Sequence, residues 1–329
     1  MLGVNMKQPL YLLSDGVLYR YLNTLYFINK ESGKKPVPVE NISDIYCLGN
    51  VTLRAGAAMM LMEKGVPVHF FNKHGFYTGT LYPRVQLNSG LVVVKQAENY
   101  LDPNKRSKIA AEIVRGIKHN VIQTLKYYAK KGKELEQYIM QIEKEEPAGD
   151  ISTIMSSEGR IWAAYYDSFN ILLNQFTMEK REIRPPTSEV NAMISFGNSL
   201  LYSVTLSEIY NTYLHPSISY LHEPSERRFS LALDIADIFK PVIVERTIFN
   251  LVNNKVIDEG DFNREVGVLL SNSGKRKFIA SFDEKMNTTI KHPELGRNVT
   301  YRYIIRLEAY KIMKHVLGDK NYVSFKAWW

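Results

Sequence analysis

The pattern of apolar and polar positions divides the chain into two parts of different character. Up to about residue 84, short apolar runs such as residues 10–13 and 25–28 alternate with turn residues, a pattern typical of strands. Asp15 and Gly16 follow the first run and predict a hairpin turn. Helical spacing over residues 55–64 predicts one helix, which Gly65 ends. The pattern therefore predicts a small β-sheet domain with one helix.

Beyond residue 84 the spacing of apolar positions becomes helical. Residues 105–131 repeat apolar side chains every three or four positions, and Pro103 opens this region. After a stop at Pro185 and Pro186, a helix is predicted over residues 189–213. We therefore predict an α+β fold with three parts, which are a β domain over 1–84, a linker over 85–102 and a larger all-α domain over 103–329.

One predicted helix carries two carboxylates in an almost wholly apolar run. Residues 231–239 leave no clear polar face, so Asp234 and Asp237 are expected to be buried. Because they are three residues apart, the two carboxylates are neighbours on one face. Two buried like charges repel unless a proton or a cation lies between them. With His222 shortly upstream, this arrangement favours a divalent metal.

A third acid has the same unusual setting. Glu158 lies four residues after Ile154 and three before Ile161, on an apolar helical stripe. A glutamate on a core-facing stripe is expected to be paired, protonated or metal-bound. Together Glu158, His222 and Asp237 offer a mixed set of oxygen and nitrogen ligands. This set suits Mn²⁺ or Mg²⁺ better than a closed structural zinc site.

Each of these residues has a plainer explanation when it is taken alone. His222 suits a core or capping role, and Asp234 suits an N-cap or a salt bridge. Glu158 has a candidate partner in Arg160 or in a distant lysine. Their combination in one helical domain favours a functional site. Two further functions stay open from the residues alone, namely a metal phosphohydrolase acting on small phosphoesters and a non-catalytic helical nucleic-acid-binding protein.

Composition favours a polyanionic partner and excludes several classes of site. The chain has 42 Lys and Arg against 34 Asp and Glu, a net charge of +8. Cys47 is its only cysteine, which excludes an intrachain disulfide and a thiolate zinc finger and fits a reducing cytoplasm. No signal peptide or membrane-spanning segment is expected. The motifs of P-loop enzymes, zincins and α/β-hydrolases are absent from the sequence.

Two cationic regions are candidates for contact with nucleic acid. The predicted helix over residues 105–131 carries many lysines and arginines, although an ordinary solvated face explains it equally well. Between residues 275 and 306, aromatic residues interleave with cations, which suits phosphate contact combined with base stacking.

Several motifs together resemble one known family. They are residues 12–16, 45–53, 65–71, 157–159, 186–202, 220–223 and 231–241. The chain resembles the CRISPR-associated protein one family, which contains the metal-dependent integrase and endonuclease of spacer acquisition. The resemblance runs nearly end to end and implies an N-terminal β domain followed by a C-terminal α domain.

The resemblance implies a site, a reaction and partners. It implies that Glu158, His222 and Asp237 bind one Mn²⁺ or Mg²⁺, and that Asp234 orients a ligand or a water molecule. The reaction is cleavage of DNA and insertion of short DNA fragments, the spacers, into a CRISPR array during antiviral defence. The implied partners are double-stranded DNA, a second copy of the chain in a homodimer, and the small ferredoxin-like CRISPR-associated protein two.

Three further residues are predicted to act near the reacting phosphate. Lys240 comes three residues after Asp237 and is expected to reach a phosphate oxygen. Asn191 and Ser195, on the predicted helix over 189–213, are expected to hydrogen-bond near that phosphate. The β domain is expected to build the dimer, and the α domain to carry the chemistry.

Overall fold

The computed structural model describes residues 7–83, 87, 89–182, 185–224 and 229–328. The chain forms two compact units, divided between residues 86 and 87. The first unit consists mainly of strands and the second mainly of helices. The α+β class predicted from the sequence is therefore confirmed.

The described part of the first unit contains two four-stranded sheets and one helix. Its strands are β1 (Gln8–Leu12), β2 (Gly16–Tyr21), β3 (Thr24–Asn29), β4 (Gly33–Val37), β5 (Ile42–Cys47), β6 (Val51–Leu53), β7 (Val68–Phe71) and β8 (Tyr77–Leu81), with α1 (Ala55–Glu63) between β6 and β7. One sheet has the order β1-β5-β7-β8 and the other the order β4-β3-β2-β6. Both sheets contribute to one apolar core, which includes Leu18, Leu25 and Ile45.

The predicted hairpin turn at Asp15 and Gly16 is wrong. Strand β1 pairs in parallel with β5, whereas β2 pairs with β3 and β6, so β1 and β2 belong to different sheets. The Asp15 side chain instead accepts a hydrogen bond of 2.8 Å from the backbone N of Asn50, which precedes β6. A turn signal describes only the local backbone, and long-range pairing decided which strands meet.

The described part of the second unit is built mainly from helices. They are α2 (Gly90–Leu101), α3 (Pro103–Ala129), α4 (Glu136–Glu143), α5 (Ile151–Asp167), α6 (Phe169–Leu172), α7 (Glu189–Tyr210), α8 (Ser230–Phe239), α9 (Val244–Asn253), α10 (Asn272–Asn287) and α11 (Tyr301–Val316). Two short hairpins join them, β9 (Phe262–Asn263) with β10 (Leu269–Leu270) and β11 (Thr289–Lys291) with β12 (Asn298–Thr300). In the part of the chain that the structure describes, no helix is long and apolar enough to cross a membrane.

Most of the predicted linker is a helix. Ser89 caps α2 by accepting a hydrogen bond from the Val92 backbone N, and α2 packs on α3 and α11. Buried Gln96 exchanges hydrogen bonds with the backbone of His215, at 2.7 and 3.2 Å. The apolar pattern missed this helix because part of its buried face consists of amide side chains. Residues 85, 86 and 88 of the predicted linker lie outside the described residues.

Helices α3 and α7 form the centre of the second unit and position the site. Helices α5 and α8 pack on α3, while α8 and α9 pack on α7. At Gly197, an added Cβ would lie 2.5 Å from Val244 Cγ1, so α7 and α9 approach too closely for any larger residue. This packing brings α8 and α9 together on α7, while α5 and α8 meet on α3.

Candidate active site

Asp234 on α8 holds the loop that precedes the helix. The carboxylate is fully buried, and its Oδ2 accepts hydrogen bonds from the backbone N atoms of Tyr220 (2.7 Å) and Leu221 (3.0 Å). Its Oδ1 accepts a hydrogen bond of 3.0 Å from the backbone N of His222. Three amides of one loop therefore compensate the buried charge, and the loop is fixed against α8.

The same carboxylate also orients the ring of His222. His222 Nδ1 lies 2.8 Å from Asp234 Oδ1, while Nε2 lies 3.9 Å from Asp237 Oδ2. Burial acts to lower the pKa of His222, but the hydrogen bond and the charges of Asp234, Asp237 and Glu158 outweigh it and raise the pKa to about 9. In this structure, the group that lies between the two aspartates is thus the His222 ring.

Asp237 faces a second cation. Lys240 Nζ lies 2.5 Å from Asp237 Oδ1 and 5.3 Å from the centre of the Trp162 ring. Burial acts to lower the pKa of Lys240, but the charge and hydrogen bond of Asp237, together with the nearby Tyr166 and Glu245, outweigh it and raise that pKa. Asp237 is therefore neutralised by two side chains, where Asp234 is compensated mainly by backbone amides.

Glu158 enters the same cleft from α5. Its Oε1 accepts a hydrogen bond of 2.7 Å from Trp162 Nε1. Burial and the charge of Asp237 raise the pKa of Glu158, and the positive charges of Lys240 and His222 partly offset this increase. The structure thus brings Glu158, His222, Asp237 and Lys240 into one electrostatically coupled cluster.

Arg160 is not the partner of Glu158. Its guanidinium makes two hydrogen bonds of 2.8 Å to the carboxylate of Glu145. The pairing of Glu158 with Arg160 therefore does not hold, and a more distant lysine, Lys240, is the cation whose charge acts on Glu158.

The donor set of the cleft fits a hard divalent cation. It combines two carboxylates with an imidazole whose Nε2 faces one of them, and burial raises the cost of leaving their charges unneutralised. Among the described residues, no three His, Cys, Asp or Glu side chains stand at metal-binding distances. For Glu158, His222 and Asp237 to take a metal, the His222 ring must lose a proton and the Lys240 ammonium must leave Asp237.

The side chains of Asn191 and Ser195 form hydrogen bonds with residues 180–182. Arg181 donates hydrogen bonds of 3.0 Å to Asn191 Oδ1 and to Ser195 Oγ. The Asn191 amide also donates to the Lys180 carbonyl at 2.9 Å. These contacts anchor residues 180–182 on α7, because each polar atom of the two buried side chains finds a partner there. The geometry therefore offers no support for their predicted contact with a reacting phosphate.

Two residues beside the cleft were missed by the sequence analysis. Trp162 is one residue after Ile161, and its Nε1 fixes Glu158. Glu245 on α9 is fully buried, and burial raises its pKa to about 7 while the charge of Lys240 opposes the increase. An acid directly after the apolar run 241–244 was the available signal for Glu245, since an acid beside apolar residues also pointed to Asp234.

Several cations of the two predicted nucleic-acid surfaces are paired within the chain. Arg302 and Arg306 donate to the buried carboxylate of Glu208 at 2.7 and 2.6 Å, and Lys277 lies 2.6 Å from Asp261. On α3, Arg106 pairs with Glu223 and Lys126 pairs with Glu143, at 2.7 and 2.8 Å. A DNA-binding surface stays a prediction, and these pairs reduce the number of cations available for it.

The family model for CRISPR associated protein Cas1 matches residues 10–284 of this chain. A CRISPR-associated protein Cas1 from Methanobrevibacter ruminantium is 46% identical over 325 residues, which cover 98% of this chain and 99% of the relative. The chain belongs to the Cas1 family. The family resemblance identified from the sequence is thereby confirmed.

Other members of the Cas1 family agree over the whole length. A relative from Methanothermobacter thermautotrophicus, named CRISPR-associated endonuclease Cas1, is 47% identical, with 98% of this chain and 96% of the relative covered. The solved structure of a Cas1 protein from Thermotoga maritima matches with a TM-score of 0.86 at 41% identity, covering 97% of this chain and 99% of that chain. Nucleases of the Cas1 family are metal-dependent in general.

Proposed function

We propose that this chain is a metal-dependent DNA endonuclease and strand transferase that inserts short DNA fragments into a CRISPR array during antiviral defence. The observation that carries the proposal is the convergence of Glu158, His222 and Asp237 on one cleft beside Lys240. Membership of the Cas1 family supports it, because full-length relatives are named CRISPR-associated endonucleases. We propose Mn²⁺ or Mg²⁺ as the metal that these three residues hold.

The residues of the cleft have separate tasks. A bound divalent cation would polarise the scissile phosphodiester and stabilise the charge that develops on it. Asp234 holds the His222 ring with Nε2 toward Asp237, and Trp162 holds Glu158. Lys240 supplies a mobile ammonium, which is free to contact a phosphate oxygen once it leaves Asp237. The nucleophile is water in cleavage and a DNA 3′-hydroxyl in integration.

Positioning decides between these two nucleophiles. Holding the 3′-hydroxyl beside the phosphate makes the step effectively unimolecular. This lowers the activation free energy by up to ~7–11 kcal/mol. We propose that a homodimer presents two such clefts to the ends of one short duplex, assisted by the small ferredoxin-like CRISPR-associated protein two. The first unit is the proposed dimer interface, because its sheets have open edge strands that a partner can cover. Light scattering of a chain beginning at residue 87 tests this, since the proposal requires that chain to be monomeric.

The site assignment is tested by three single substitutions. Glu158→Ala, His222→Ala and Asp237→Ala are each expected to abolish DNA cleavage and strand transfer with Mn²⁺ while a circular-dichroism melt shows a folded protein. The matched control is Glu143→Ala, which removes an exposed carboxylate that pairs only with Lys126. Unchanged activity in any of the three ligand variants would contradict the proposed site.

The proposed reaction is tested with two kinds of DNA end. Fragments that end in a 3′-hydroxyl are expected to join a repeat-containing target, and to join more efficiently when the small partner protein is present. Fragments that end in a 3′-phosphate lack the nucleophile and are expected not to join. Equal joining of both, or cleavage without any joining, would reduce the function to that of a plain nuclease.

A further inference from the structure

A second polar cavity lies between the C-terminal end of α3, helix α9 and the C-terminal half of α10. Its volume is about 480 Å³, which is in the range of small-molecule sites. None of the candidate metal ligands lines it. Four cations do, namely Lys131, Lys133, Arg246 and Lys285, and they come from three different parts of the chain. The fold therefore gathers these like charges around one space.

Aromatic rings hold three of these cations in place. The Arg246 guanidinium and the Lys131 ammonium both lie 4.4 Å from the centre of the Tyr127 ring. The Lys285 ammonium lies 4.8 Å from the centre of the Tyr301 ring. Such contacts fix a cation without neutralising its charge, because the ring contributes only a quadrupole. The neighbouring rings thus help to fix the positions of the positively charged groups that line the cavity.

The charge balance at the cavity favours an anion. Glu284 is the acidic residue of the described lining, and its side chain is exposed. Burial, followed by the charge of Arg246, lowers the pKa of Lys285 to about 8. Ser281 and Asn250 add a hydroxyl and an amide donor to the lining. A guanidinium, ammonium groups and neutral donors together are the groups with which proteins bind phosphate.

We propose that this cavity is a phosphate-binding site, and that it takes either a phosphate of a DNA strand or a free phosphate compound. Its size exceeds that of a single phosphate, so the space accommodates a diphosphate or a nucleotide. The proposal stands apart from the chemistry at Asp237, because it depends on residues of another cavity.

The test is pyrophosphate binding to the full chain, measured by calorimetry in EDTA at constant ionic strength. Replacing both Arg246→Gln and Lys285→Gln is expected to lower the affinity at least ~tenfold, because two charged hydrogen-bond donors are lost. The matched control, Lys130→Gln with Arg276→Gln, removes two exposed charges that do not line the cavity. It is expected to stay within about twofold of the natural chain.

Further arms keep the proposal open to contradiction. Pyrophosphate binding that stays unchanged in the Arg246→Gln and Lys285→Gln variant would place the anion outside this cavity and would overturn the proposal. If the Arg246→Gln variant does not fold, Lys285→Met alone serves, since it keeps the aliphatic stem and removes only the ammonium. No binding by the natural chain, or equal loss in the cavity and control variants, would overturn the proposal. A failure of the proposed nuclease function would leave these binding results unchanged.

A DNA arm identifies the source of the phosphate. Fluorescence anisotropy over a salt series gives the slope of log K against log salt, and each phosphate contact contributes about 0.9 for a duplex or 0.7 for a single strand. A slope reduced by that amount in the cavity variant, and not in the control, identifies a DNA phosphate. An unchanged slope together with weakened pyrophosphate binding identifies a free phosphate compound.

Discussion

Asp234 and Asp237 lie one turn apart on α8, yet their carboxylates face two different surroundings. Asp234 accepts hydrogen bonds from three backbone amides of one loop, and its fourth contact is the ring of His222. Asp237 is neutralised by the side chains of Lys240 and His222. One region is built from backbone donors, and the other from groups that can swing away or lose a proton.

This difference shows how the carboxylates of a proposed metal site can be neutralised while no metal is bound. Backbone amides of a packed loop stay in place, so Asp234 is a fixed support for the His222 ring. At Asp237 the proposed divalent cation would replace Lys240 and the proton of His222 as the groups that neutralise the carboxylate. The comparison therefore predicts a structural effect at Asp234 and an effect on metal and chemistry at Asp237.

The largest expected effect separates the two aspartates directly. Asp237→Ala should lower Mn²⁺-dependent cleavage by roughly 10³-fold or more, since it removes a ligand that supports transition-state charge. Asp234→Ala should reduce activity only partially, but it should destabilise the fold by about 3 kcal/mol, because three buried amides lose their acceptor. Cleavage assays and urea melts of both variants measure this. Equal stability losses would contradict the comparison.

The pH dependence of the stability of the metal-free protein tests His222, which lies between the two aspartates. The folded-state pKa of His222 is raised from 6.5 to about 9, so its stabilisation is complete below pH 6.5 and is lost as pH rises through about 9. We expect the free energy of unfolding to fall by roughly 3 kcal/mol over this pH range. It is measured as the difference between the natural chain and the His222→Gln variant in EDTA. Mn²⁺ affinity should change in the opposite direction and increase up to about pH 9, because metal and proton compete for the ring. A pH-independent difference would show that the ring is not an imidazolium.

Lys240 is expected to stabilise only the metal-free cleft. Lys240→Gln should destabilise the protein in EDTA by roughly 2–3 kcal/mol, because Asp237 keeps a buried charge without its ammonium. Added Mn²⁺ should then raise the melting temperature more in the variant than in the natural chain, since no ammonium has to be displaced. Thermal melts with and without Mn²⁺ measure this. A smaller shift in the variant would mean that Lys240 does not compete with the metal.

The smallest expected effect concerns the support of Glu158. Trp162→Phe keeps an aromatic ring beside Lys240 but removes the indole N–H that donates to Glu158. Mn²⁺ affinity should fall roughly tenfold, as is typical when the hydrogen-bond support of a metal ligand is lost. Trp328→Phe is the matched control, because Trp328 packs on Phe325 and does not contact the candidate ligands. Calorimetry compares the two, and an unchanged affinity in Trp162→Phe would assign the indole to packing alone.

The sequence predicted the fold class and the residues that gather in the cleft, because both depend on local pattern. Acids within apolar helical runs have few explanations other than a buried site, and this led to Glu158, Asp234 and Asp237. The helix over residues 90–101 escaped the same reasoning, since buried Gln96 resembles a surface residue until its partner at His215 is known. For Asn191 and Ser195, apolar periodicity likewise gave no sign of the hydrogen bonds that they accept from Arg181, and their contact with a phosphate stays a prediction.

By itself, then, the sequence determined an N-terminal unit of strands, a larger helical unit, the Cas1 family and a set of residues able to bind a divalent metal. Only the tertiary structure decided what each charge faces. Two aspartates three residues apart are neighbours on any helix. The free energy of burying each carboxylate, however, depends on the elements packed against α8. A loop of amides on one side and Lys240 with His222 on the other came from long-range packing, which apolar periodicity does not encode.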